Sequence, residues 1–239
     1  MSKLKERRWL SNPAFLVSII LLPIVLVVAI RFFVVHPFDI NSGSMSPTLL
    51  GGDQVIATKY AYGLGPYSLP FGPHSFLARS AENLPAYGDV VAFTTSTKGS
   101  TVYVKRVVGH PGDRIQMKEG ILYINGEAAK QKRVQDFVTV DDAGNKQHRA
   151  QYRETLPNEV SYNVINLVDQ GMLDNTVVYH VPAGELFLLG DNRDNSLDSR
   201  MPVQFGRVTV QNLIGRFDFI FFDGASKQPI WKAVGSPRG

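Results

Sequence analysis

The sequence predicts a mainly β chain: an antiparallel β-sheet domain carrying a small inserted subdomain, preceded by one N-terminal transmembrane helix. An uncharged run of 18 residues stands near the N-terminus, and short segments rich in valine, phenylalanine and tyrosine recur after it, separated by glycine-containing turns. With 239 residues and 44% hydrophobic content, the chain can bury a sizeable core in one or two domains. The net charge of +4 is modest and the basic residues form no long block, which argues against a nucleic-acid partner. Cysteine is absent, which excludes thiol catalysis, disulfides and cysteine metal sites.

The uncharged run is PAFLVSIILLPIVLVVAI, from Pro13 to Ile30, and its apolar character resumes after Arg31 through Val35. At about 1.5 Å per residue it reaches roughly 27 to 35 Å, enough for a hydrocarbon core of about 30 Å. Pro23 lies inside it and is tolerated more readily in lipid than in water. A cleavable secretory signal has a shorter apolar core and ends in a small-x-small site. Here Arg31 and His36-Pro37-Phe38 follow, so the expectation is a retained anchor over 13–35. Lys3, Lys5, Arg7 and Arg8 against Glu6 place the 1–12 tail in the cytoplasm and residues 36–239 outside.

Strands are expected at Asp89 to Phe93, Thr101 to Val104, Ile121 to Ile124, Leu186 to Leu189 and Phe217 to Phe222. Asn125-Gly126 after Ile124 is a hairpin signal. From about 130 to 181 the chain turns polar, and this stretch reads as the inserted subdomain. Tyr60 to Pro85, rich in glycine, proline and aromatics, reads as a long loop, whose 67–76 part could pack on the core or meet the membrane surface.

Several hydroxyls near the end of the span invite a search for a base. None of the five histidines, His36, His74, His110, His148 and His180, comes with an aspartate pattern that suggests a triad. The alternative base is Lys105, inside the apolar strand TVYVKRVVG. A lysine serves as a base near neutral pH only when desolvation lowers its pKa by roughly 2 to 3 units. Strand alternation should turn Arg106 the other way. Alone, Lys105 reads as an edge-strand lysine that discourages aggregation, and Ser42-Gly43-Ser44 as an ordinary turn. A third element, Gly190-Asp191-Asn192-Arg193-Asp194-Asn195-Ser196-Leu197-Asp198-Ser199-Arg200, fails the EF-hand template, which counted from Asp191 finds Arg193 and Ser196 at its third and sixth positions. Its alternating acids and arginines suggest internal ion pairs beside a cleft.

In combination these elements are specific. SGSMSPTL after the span, GDVVAF from Gly88, YVKRVVGHPGD from Tyr103 and GDNRDNSLDSR from Gly190 resemble the bacterial type I signal peptidases, in the family's order from Phe38 to about Asp223. The resemblance implies a Ser-Lys dyad serine protease on a mainly β fold, without metal or cofactor, at the outer face of the cytoplasmic (inner) membrane. Ser44 would be the nucleophile and Lys105 the general base. Ser42, with the backbone N–H of Ser44, would form the oxyanion hole. Ser196 would hydrogen-bond and orient Lys105, while Asp191 would pair with Arg106 and Asp198 with Arg200. Phe38, Ile40, Met45, Leu49, Tyr103 and Val104 would wall the substrate pockets, with Asn41 at their border. The implied partners are exported preproteins with small residues at the first and third positions before the cut, and membrane lipid. Ser44 lies nine residues past Val35, a tether of at most about 30 Å, so the nucleophile would work at the membrane surface.

Two departures stand out. Asn41 replaces the family's usual proline before the first serine, and Gly109-His110-Pro111-Gly112-Asp113 replaces its GLPGD. Other readings are a narrow-specificity Ser-Lys maturation peptidase and an inactive membrane-tethered β-domain. The 190–200 loop argues against the first, and the joint presence of Ser44, Lys105 and Ser196 against the second. A β-lactamase-like S-x-x-K pair fits only Ser2 to Lys5, with no SDN or KTG after it.

Overall fold

The computed structural model describes residues 13–68, 77–80, 83–95, 101–140, 145–167 and 170–235. Helix α1 (Pro13–Phe33) is the apolar run, and its window Pro13–Arg31 has a mean hydropathy of 2.9 with none of it buried against the rest of the chain. An apolar helix left unburied is what a lipid-facing segment needs. The 1–12 tail and the 69–76 part of the loop that could meet lipid lie outside the described residues.

Sixteen strands follow in the described residues: β1 (Val35–Asp39), β2 (Gln54–Thr58), β3 (Val90–Thr94), β4 (Val102–Gly109), β5 (Arg114–Lys118), β6 (Ile121–Ile124), β7 (Glu127–Ala128), β8 (Lys130–Arg133), β9 (Phe137–Val140), β10 (Lys146–Thr155), β11 (Ser161–Asn166), β12 (Tyr179–His180), β13 (Glu185–Leu189), β14 (Val208–Thr209), β15 (Leu213–Asp223) and β16 (Gln228–Ala233). The eight-stranded sheet runs β1-β2-β15-β3-β4-β13-β14, with β16 on the far side of β15, and every pairing is antiparallel. Two four-stranded sheets complete the chain: β11-β10-β8 with β9 on β10, and β12-β5-β6-β7.

Side-chain alternation along β4 and β13 builds two cores, one on each face of the main sheet. Val107, Leu186 and Leu188 join Val91, Phe93, Phe205 and Leu213 on one face. Val108, Phe187 and Leu189 join Ile115, Met117, Leu122, Leu156, Tyr162 and Val164 on the other. Because both faces are covered, β3 and β13 are buried at every position, which explains their continuous apolar sequence.

The second core is completed by strands β5 and β6, the first beginning at Arg114, and by β10 and β11 within the 130–181 stretch. The expected strand Ile121–Ile124 forms as β6; its partners are β5 and β7, and Leu122 and Ile124 sit in this second core. The Asn125-Gly126 pair joins β6 to β7 with φ of 56° and 90°, the left-handed turn that this dipeptide favours. The segment between β2 and β3 holds no strand among its described residues. Buried Arg79 pins it to the main sheet by donating to the carbonyls of Tyr62, Gly63, Val210 and Leu213.

Candidate active site

Strand β1 leaves the end of α1 and carries the chain to Ile40, where Ile40 N–H to Asp53 O and Gly52 N–H to Ile40 O, both 2.8 Å, close the loop 40–53 at its base. Within it, Gly43–Met45 form one 3-10 turn, and buried Met45 and Leu49 anchor the turn in the core beside Val55, Ala57 and Phe217. Ser42 precedes the turn in extended conformation and is exposed, whereas Ser44 within it is half-buried.

Lys105 comes from β4, between β3 and β13, and is 3% exposed. Its Nζ lies 2.6 Å from Ser44 Oγ, and Ser42 Oγ is 3.3 Å from Ser44 Oγ. Burial, the largest influence, lowers the Lys105 pKa to about 8, and Asp198 and Asp191 only partly offset it. A neutral amine is therefore available at mildly alkaline pH, in hydrogen-bond contact with a hydroxyl.

Ion pairs of the 190–200 loop lie beside this pair. Arg106 donates to Asp191 through Nε (2.7 Å) and Nη2 (2.5 Å), and Thr48 Oγ1 also donates to Asp191. Arg200 grips Asp198 through Nε and Nη2, both 2.8 Å. Asp198 in turn accepts the Gly190 N–H at 3.1 Å. Gly190 has no room for a side chain: a Cβ there would lie 2.2 Å from Ser196 Oγ and 2.7 Å from Ser44 O. Ser196 departs from expectation, because its Oγ is buried without a hydrogen-bond partner among the described residues and Lys105 Nζ turns to Ser44 instead.

Ile40, Met45 and Leu49, expected as pocket walls, are 4%, 1% and 0% exposed, so they form floor rather than open lining. Phe38 packs edge-on against Phe217 with ring centroids 5.4 Å apart. Tyr103 and Val104 are half-buried on β4, and Asn41 is exposed. His110 is held by Pro85 O at 2.7 Å and rests on Tyr87, while His148 lies 4.0 Å from Asp136. His74 lies outside the described residues.

Sequence reasoning missed a third buried ion pair. Arg193 Nη1 donates to Glu154 Oε2 at 3.1 Å, Nη2 to Glu154 Oε1, and Glu154, fully buried on β10, also accepts Tyr162 OH (2.8 Å) and Gln131 Nε2 (2.9 Å). Burial opposes ionisation of Glu154, but Arg193, Gln131 and Tyr162 outweigh it and hold the pKa below the usual value. The Tyr162 ring also stacks under the Arg106 guanidinium, 3.9 Å from its centroid, so the two ion pairs share one aromatic floor. A glutamate inside a strand was the available signal, hidden because β10 read as a weak polar segment.

The family model described as "Signal peptidase, peptidase S26" matches residues 14–222. A signal peptidase I of Rickettsia bellii (strain OSU 85-389) is 37% identical over 210 residues, covering 84% of this chain and 71% of its own. That of Rickettsia canadensis (strain McKiel) is 36% identical over 229 residues, covering 92% and 81%. A solved signal peptidase I from Enterococcus faecalis V583 is 26% identical, covering 56% of this chain and 96% of that one at a TM-score of 0.32, too loose a superposition to bear on geometry.

Proposed function

The chain belongs to the signal peptidase family, peptidase S26, and from that premise we propose that Ser44 and Lys105 are the dyad with which it removes signal peptides from exported preproteins. The supporting observation is the 2.6 Å contact between Lys105 Nζ and Ser44 Oγ, with the lysine buried and its pKa lowered to about 8.

In this reading neutral Lys105 Nζ accepts the Ser44 hydroxyl proton as Oγ attacks the scissile carbonyl carbon. The resulting oxyanion accepts hydrogen bonds from the Ser44 N–H and from Ser42 Oγ–H, 3.3 Å from the attacking oxygen. Collapse of the tetrahedral intermediate expels the new N-terminal amine, which takes the proton from the Lys105 ammonium. Water then gives a proton to Lys105 and attacks the acyl ester, and the returning proton restores Ser44. Arg106–Asp191 and Asp198–Arg200 hold the loop beneath the dyad. Ser196 is buried against Gly190 of the same loop.

The substrate surface is formed by Phe38, Asn41, Tyr103 and Val104, over the floor of Ile40, Met45 and Leu49. Small side chains before the cut suit a surface with so little open depth. Residues 13–35 anchor the enzyme, the 1–12 tail stays cytoplasmic, and 36–239 work at the outer face of the cytoplasmic membrane. Strand β1 begins two residues after α1 ends, which keeps Ser44 near the lipid where a signal helix emerges. The test is incubation of the detergent-solubilised chain, beside Ser44→Ala, with a preprotein carrying an Ala-x-Ala site, the products mapped by mass spectrometry. Cleavage after that site by the parent alone is expected; equal cleavage by both proteins would reject Ser44 as nucleophile.

A further inference from the structure

A nucleophile carried on a single 3-10 turn needs support from outside the turn. Gly43–Met45 contains three residues, closed by Ser46 N–H to Gly43 O at 3.1 Å. Two further bonds reach the same turn from one residue of the 190–200 loop. Asn192 N–H donates to Ser44 O at 3.1 Å, and Asn192 Nδ2 donates to Gly43 O at 3.0 Å. Asn192 is 6% exposed, and its Oδ1 is buried without a partner among the described residues. The Gly43 carbonyl accordingly fixes which way the amide faces.

The geometry points to Asn192 as the positioning residue of the oxyanion donor, acting through the Gly43–Ser44 peptide. A trans peptide is planar, and its C=O and N–H point in opposite directions. The carbonyl that Asn192 Nδ2 holds belongs to the same plane as the Ser44 N–H, so aiming the one aims the other. A hydrogen bond accepted by the carbonyl also polarises the peptide and strengthens its N–H as a donor. The second bond, to Ser44 O, fixes the next peptide plane, leaving the Ser44 side chain between two held peptides. An oxyanion donor is effective only when it is oriented before charge develops.

Asn192 is itself braced by the inserted module. Ile165 of β11 pairs with it in an isolated parallel bridge, through Ile165 N–H to Asp191 O (2.9 Å) and Arg193 N–H to Ile165 O (3.0 Å). Next along the chain, Arg193 is tied to Glu154 of β10. The insert thus ends in a clamp on the residue that holds the nucleophile turn, which gives a role to a segment otherwise remote from the dyad.

This inference rests on Ser44 being the nucleophile, and the experiment separates the two. The full chain in detergent, with Ser44→Ala, Asn192→Ala and Asn192→Leu, is assayed on a preprotein with an Ala-x-Ala site, measuring kcat, KM and the pH midpoint of kcat/KM. Leucine keeps the volume and backbone donor of Asn192 and removes only the amide. If the alanine variant loses its circular dichroism signal, the leucine variant reads the same bond. Expected are kcat values about 10- to 100-fold below the parent, KM within about threefold, and an unmoved midpoint, since the group lost acts only in the transition state. Parent-like kcat, a loss confined to KM, or a midpoint moved by more than about one pH unit would each overturn it, the last by placing the effect on Lys105. A folded parent that cuts nothing would instead sink the reading of Ser44 and Lys105, and this inference with it.

Discussion

Lys105 lies close to the carboxylates of the 190–200 loop and Arg193 lies within that loop, and each is 3% exposed, yet the protein treats the two cations in opposite ways. Lys105 meets a hydroxyl, and burial drives it toward its neutral form. Arg193 meets the fully buried Glu154 in a two-pronged pair, and both stay charged. One region spends burial on reactivity and the other on rigidity. The difference lies in whether a carboxylate is in direct contact, because desolvation penalises any buried charge and only a close counter-charge offsets it.

The largest effect should come from removing the reactive cation. Lys105→Met is expected to lower kcat/KM more than about 10³-fold while the domain stays folded, as loss of a dyad member does in other hydrolases. Activity of the parent should fall about tenfold per pH unit below about pH 8, as Lys105 takes up its proton. A rate that stays flat from pH 9 to pH 5, measured on one preprotein, would erase the distinction between the two cations.

Breaking the rigid region should cost stability. Glu154→Leu leaves Arg193 buried and unpaired, and denaturant unfolding should show a loss of about 3 to 5 kcal/mol. Glu154→Leu combined with Arg193→Met should recover most of that loss. A double variant as unstable as the single one would mean that packing rather than charge holds this region.

Lys105→Met should also stabilise the fold. The folded pKa, about 8 against an ordinary 10.5, means that the folded chain binds fewer protons than the unfolded one between those values. Stability of the parent therefore rises with pH across that window, and below pH 8 the full penalty of the buried ammonium, about 3 kcal/mol, applies. The variant should exceed the parent by about that much at pH 7 and converge with it near pH 10.5, as read from urea unfolding at both pH values. An advantage already absent at pH 7 would mean that Lys105 is solvated.

The smallest effect is expected at Asn41, which is exposed just before the serine turn. Asn41→Pro, which restores the family's usual residue, should change kcat/KM on an Ala-x-Ala substrate by less than about threefold. A larger change would make this position a determinant of specificity.

Much of the reactive region was legible in the sequence. The span, strands β3, β4, β6, β13 and β15, the Arg106–Asp191 and Asp198–Arg200 pairs and the Ser44–Lys105 pairing all follow from motifs whose neighbours lie close in the chain or in a known order. The rigid region was not legible. Glu154 sits in a polar strand that reads as solvated, 39 residues from Arg193, and nothing local distinguishes a buried glutamate from an exposed one. Strand β6 was legible as a strand, but not the sheet it joins, since its period is the same in any sheet.

By itself the sequence determined an apolar span, a β chain behind it, and a serine and a lysine in a recognisable order, because hydropathy, alternation and turn chemistry are local properties. Tertiary structure decided the rest: that Lys105 is dry and its amine meets Ser44, that β5 and β6 pair outside the main sheet, that Asn192 bonds the Gly43–Met45 turn, and that Glu154 pairs with Arg193. Those outcomes depend on which surfaces exclude water from which charges, and that is fixed only when distant strands pack together.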